Sequence, residues 1–219
     1  MNGLYFVLAL RLRALVTGTE KAFEDECKWL QLWFSKPTRA DHKLLWKIDN
    51  TSALVRERIS TYAFCKNDWP KVQGYLPEAA WCGDQGLILG GFLDYLQVNS
   101  SDPVAQSLPK QIMNGVFSRM VNDQKVVLPM TEAMNGIDDD DYNCGSGVFW
   151  RYLLGGFCQK GALKNDVLSY VKMLGENNAI YKSAEDACQG NSPGDELFKP
   201  FNALATLIAA IEILPQAGG

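Results

Sequence analysis

Trp81-Cys82-Gly83-Asp84-Gln85-Gly86-Leu87-Ile88-Leu89-Gly90-Gly91 opens a long apolar run that continues through Phe92, Leu93 and Leu96. Its apolar residues fall on nearly every side of a helix, the pattern of a helix packed on more than one side. Gly83 or Asp84 is the expected first residue. Three further runs have the same character. Gly145-Ser146-Gly147 leads into Val148, Phe149, Tyr152, Leu153, Leu154 and Phe157. The stretch from Phe201 to Leu214 carries Ala203, Leu204, Leu207, Ile208 and Ile211. At the other end, Gly3 to Val16 places Leu4, Val7, Leu8, Leu12 and Leu15 at helical spacing.

Between these runs lie segments of ordinary amphipathic pattern. Thr19 can cap a helix with Ala22, Phe23, Cys27, Leu30 and Phe34 on one side, ended by Pro37. Ser101-Asp102-Pro103 starts another, through Ile112, Val116, Phe117 and Met120. Leu163 to Leu174 is a further amphipathic partner. Lys125 to Leu128 resembles a short strand or hairpin arm. Residues 37–82 are irregular, with Pro70, Gly74 and Pro77, and a loop covers Gln189 to Gly194. Buried helices alternating with half-exposed ones predict an all-α fold: a two-layer α/α toroid, incomplete, forming a single domain or partial domain over residues 1–219. An irregular helical bundle is the alternative. A tetratricopeptide array fits poorly, because no period of ~34 residues appears.

Hydrophobic residues make up 47% and charged residues 21%, enough apolar material for a sizeable core. The net charge of −4, with no basic cluster, argues against nucleic acid as a partner. No apolar run reaches the ~20 residues of a membrane span. Leu4 to Leu10 is followed at once by Arg11 and Arg13 and reads as a buried helix, not a signal peptide. The six cysteines contain no CxxC pair, so no metal site is expected; they are free thiols or one or two disulfides such as Cys65 with Cys82. Asn50 and Asn99 head glycosylation tripeptides, a weak pointer to secretion. There is no phosphate-cradling loop, and the lone His42 sits in a polar stretch with no triad around it. No cofactor is implied.

In a toroid the inner helices share one direction, so the residues just before each of them meet on one face. Those are Asn2, the run Trp81 to Gln85, Asp138 to Cys144, and Phe201-Asn202. Aromatic rings stack on sugar rings, and Asp, Gln and Asn bond hydroxyls, so this face suits an oligo- or polysaccharide. The expected binding residues are Trp81, Asp84, Gln85, Asp141, Tyr142 and Asn202. Asp84 is the candidate catalytic carboxylate. A helix start stabilises its charged form, which suits a nucleophile or acceptor, and plain N-capping is the alternative role. Asp138 to Asp141 reads as a solvated acidic loop; Cys144 and Trp150 stand where an EF-hand needs Gly and Glu. Arg151, inside an apolar helix, is expected to be buried against one of those acids or Glu132.

Four of these runs, in order, resemble glycoside hydrolase family 76, the α-1,6-mannanase-like enzymes, in the carboxyl-terminal part of their (α/α)6 barrel. Trp81 to Gly91 resembles W-T-Y-N-Q-G-x-x-x-G-A, and Ser146 to Leu153 resembles F-K-G-I-F-x-R-Y-L. Asn2 to Leu12 resembles N-E-L-F-x-x-x-A-x-R-L, and Phe201 to Leu204 stands where the family has Q-x-S-A-L. Asp84 replaces the family's Asn and Ser146 its Lys. The resemblance implies hydrolysis of α-1,6-linked mannan by two carboxylates and a secreted or cell-surface protein. The family's adjacent Asp-Asp pair falls upstream of this chain's first residue, so the isolated chain is expected to hydrolyse little or no mannan. A non-catalytic carbohydrate-binding relative and a helical interaction module are the alternatives. A partial toroid would expose apolar flanks, which predicts self-association or a missing upstream segment.

Overall fold

The computed structural model describes residues 2–18, 20–35, 45–57, 78–123, 127–134 and 140–157, with helical positions among 165–169 and 201–212. His42, Cys65, Asp138, Asp139 and the loop at 189–194 lie outside the described residues. The described part is mostly helical: α1 (Asn2–Leu15), α2 (Glu20–Ser35), α3 (Cys82–Val98), α4 (Pro103–Arg119), α5 (Asp140–Asn143) and α6 (Gly145–Phe157). One small sheet interrupts them, β1 (Leu45–Lys47) paired antiparallel with β2 (Ala53–Val55).

α3 is the centre. Its glycines mark where neighbours close in. A Cβ on Gly86 would lie 2.6 Å from Phe149 Cα, one on Gly90 2.0 Å from the Tyr152 ring, and one on Gly91 2.1 Å from the Phe6 ring. Early residues of α3 therefore meet early residues of α6, and later meet later, so the two helices run parallel. α1 is parallel as well, since Phe6 faces Gly91 and Arg11 lies 3.3 Å from Asp94 farther along. The 201–212 segment meets the start of α6, with Phe201 and Asn202 against Gly147, and its Ala209 lies in the core shared with Leu153.

α4 packs across α3 as the amphipathic partner. Asp102 caps it, accepting hydrogen bonds from Val104 N (2.9 Å) and Ala105 N (3.1 Å), with Pro103 as the first helical residue. β2 is buried throughout against α4, where a Cβ on Gly115 would meet the Ala53 carbonyl oxygen at 2.1 Å. The hairpin turns on Asp49, whose carboxylate accepts bonds from Thr51 N (2.6 Å) and Ser52 N (2.8 Å). Those bonds, with the Ser52 hydroxyl as the strongest contributor, hold the Asp49 carboxyl down at about 2. At Lys125 to Leu128, Val127 forms an isolated antiparallel bridge with Val121.

Three expectations change. Cys82 is a buried free thiol, so it has no disulfide to Cys65. Arg151 is exposed, because it projects from the side of α6 opposite Phe149 and Trp150, which fill the core. In α1 the buried face is Phe6, Val7, Ala9 and Leu10, while Leu4, Leu8 and Leu15 face outward. α1 covers α3 with one side only, and α2 covers another.

Candidate functional site

The amino ends of α3 and α6 lie side by side, and Trp81 is wedged between them. Its ring lies over Gly83 and Gly145, where an added Cβ would come within 2.3 Å and 2.4 Å of indole atoms. The indole N–H donates to the Tyr142 carbonyl oxygen (2.8 Å), and the Trp81 and Tyr142 rings meet edge to face at 5.9 Å. Extended backbone around Trp81 pairs with Met130 and, through Ala79, accepts a hydrogen bond from Glu57 N (3.0 Å). Glu57 thus leaves β2 and arrives beside the first turn of α3.

There it meets Asp84. The two carboxyls share a hydrogen bond, and the Tyr142 hydroxyl donates to the Glu57 carboxylate from the other side (2.7 Å). Burial, then this bond and the negative Glu57 nearby, push the Asp84 carboxyl from 3.8 up to about 8. This reverses the expectation of an ionised Asp84. The charge of the chain's amino terminus favours the anion, but loss of water and a second carboxyl outweigh it. Nor is Asp84 the N-cap; that position is Trp81, which makes no side-chain cap. Near neutral pH Asp84 is a proton donor.

Gln85 is fully buried, not open to a ligand. Its carbonyl oxygen accepts from Val55 N (2.7 Å), and its amide nitrogen donates to Val55 O (2.7 Å) and Trp81 O (2.9 Å). Asn202 also bonds backbone: its oxygen accepts from Gly147 N (2.8 Å) and its nitrogen donates to Asn143 O (2.6 Å). It ties the 201–212 segment to the start of α6. Asp141 lies in the short α5 beside Tyr142; its side chain is outside the described residues.

The structure therefore brings Trp81, Asp84, Gln85, Tyr142 and Asn202 to one end of the helix row. Glu57 is the member that sequence reasoning missed. It sits between Arg56 and Arg58 in a stretch without periodicity, and only its place two residues after a buried strand could have singled it out. Chemically, Asp84 with its raised carboxyl offers a proton donor, and the Glu57 carboxylate beside it an acceptor. No family model, curated protein or solved structure matches the chain.

Proposed function

We propose that this chain is a carbohydrate-binding protein of the α/α toroid, mannanase-like type, with its saccharide seated at the amino ends of α3 and α6. The observation that carries this reading is the Glu57–Asp84 carboxyl pair beside the half-buried rings of Trp81 and Tyr142. Rings supply flat apolar contact for a pyranose, and the carboxyl pair supplies a hydroxyl donor and acceptor together. The parallel α1, α3 and α6, with α2 packed on α1 and α4 on α3 and the 201–212 segment against the start of α6, support the arc of a toroid.

Binding is favoured over hydrolysis by the same pair. Two carboxyls that flank a glycosidic bond stand about 5 Å apart in retaining enzymes and farther in inverting ones, to admit the reacting atoms. Carboxyls in direct hydrogen bond are closer than that. The test is titration with α-1,6-linked mannose oligomers, followed by tryptophan fluorescence and amide NMR shifts. Saturable shifts at Trp81, Tyr142 and Asp84, with weak affinity and no release of mannose, are expected. Shifts confined to other faces, or rapid turnover abolished by Asp84→Asn, would overturn it.

A second reading, a helical interaction module, is favoured by the outward apolar residues at both ends of the row: Leu4, Leu8 and Leu15 on α1, and Leu204, Ile208 and Ile211. Sedimentation across a concentration series separates the two: a module of this kind associates through those ends whether or not it binds sugar.

A further inference from the structure

The Glu57–Asp84 contact joins two elements that have no covalent reason to meet. Glu57 follows β2, and Asp84 lies in α3. One residue bridges them on both sides. Gln85 adjoins Asp84 in the chain, and its amide takes both backbone polar groups of Val55, two positions before Glu57. A side-chain amide that pairs with both the N–H and the C=O of one residue imitates a strand neighbour, fixing distance and rotation together. A third bond, to the Trp81 carbonyl oxygen, sets the amide relative to the helix start. Full burial keeps water from competing for these bonds.

From this geometry we infer that Gln85 is the positioning residue of the carboxyl pair: its clamp on Val55 holds Glu57 within hydrogen-bond reach of Asp84. This deepens the proposed site and rests on it only for the purpose the pair serves; the clamp itself is testable without sugar. Other groups contribute less specifically. The Glu57 N bond to Ala79 O fixes the backbone of Glu57 through the segment before α3, not through the helix itself. Tyr142 reaches Glu57 through a rotatable side chain. Among the described hydrogen bonds, those of Gln85 are the ones that tie β2 directly to the helix that carries Asp84.

The experiment follows the Asp84 carboxyl carbon by NMR from pH 4 to 9.5 in the full chain and in Gln85→Met, which fills the space without the amide. Loss of the clamp lets Glu57 withdraw, and the Asp84 midpoint should fall by about one pH unit or more while circular dichroism stays helical. An unchanged midpoint in a folded variant overturns the inference. Gln85→Glu is the conservative companion: it keeps the acceptor for Val55 N–H and should retain part of the elevation. Where Gln85→Met does not fold, the unsubstituted chain decides. Ionising Asp84 beside Glu57 must load the clamp, so the Val55 amide shift should titrate with the Asp84 midpoint. A Val55 amide that stays flat through that midpoint overturns the inference. The sugar titration can fail while these results stand, and the reverse.

Discussion

Asp84 shares a hydrogen bond with Glu57 at the first turn of α3, and Tyr142 holds Glu57 from its other side. A carboxyl pair placed where a helix begins has two opposing influences on its charge. Here burial and the second carboxyl prevail.

The first prediction concerns stability against pH. The folded chain keeps the Asp84 proton up to about 8, whereas the unfolded carboxyl has its ordinary value of 3.8. Folding therefore binds a proton between those values, and the stabilisation is full below pH 4 and lost as pH rises through 8. Urea midpoints of the native chain should drop from pH 5 to pH 8.5, with a loss on the order of 1–3 kcal/mol. Asp84→Asn should flatten that slope.

Asp49 predicts the opposite dependence. Its carboxyl is held at about 2 by the turn hydroxyls and amides, so the hairpin gains stability above its ordinary value and loses it as pH falls toward 2. Asp49→Ala should remove this part of the acid transition, seen as earlier exchange of the Thr51 and Ser52 amides at neutral pH.

Tyr142→Phe deletes the donor to Glu57 and leaves the ring contact with Trp81 intact. A cost of about 1 kcal/mol in urea unfolding is expected. Weaker binding of mannose oligomers should accompany it. Unaltered affinity would separate the hydroxyl from the proposed cleft.

Two glycine substitutions should move in opposite directions. Gly86→Ala drives a methyl into Phe149 backbone at 2.6 Å and must part α3 from α6. Its thermal midpoint should fall, for a cost of about 2–3 kcal/mol. Gly155→Ala, in α6 with nothing within 4 Å, should gain about 0.5–1 kcal/mol by helix propensity alone.

The buried helices were legible because their pattern is extreme. Leu87 to Leu96 is apolar on nearly all sides, Asp94 apart, the pattern of a helix with neighbours around it. The start of α4 was legible from Asp102-Pro103, a local capping signal. The hairpin was missed although it carries one: Asp49-Asn50-Thr51-Ser52 separates two apolar runs. β2 is buried on both faces, so Ala53-Leu54-Val55 shows no alternation to announce a strand. The convergence of Trp81, Tyr142 and Asn202 followed from helix starts, but the roles did not. Gln85 and Asn202 bond backbone, and Glu57 is selected by a tertiary contact that no local pattern encodes.

β2 has a further consequence, for the order in which the chain is made. Ala53, Leu54 and Val55 leave the ribosome well before their partners, Gln85 in α3 and Gly115 in α4. Until those helices emerge, the strand is apolar on both faces and lacks the α3 and α4 contacts that bury it. The nascent chain therefore presents a sticky, unpaired edge during synthesis, the kind of segment that holding chaperones shield. Slowing translation between the hairpin and α4 should lower the soluble yield, and speeding it should raise it.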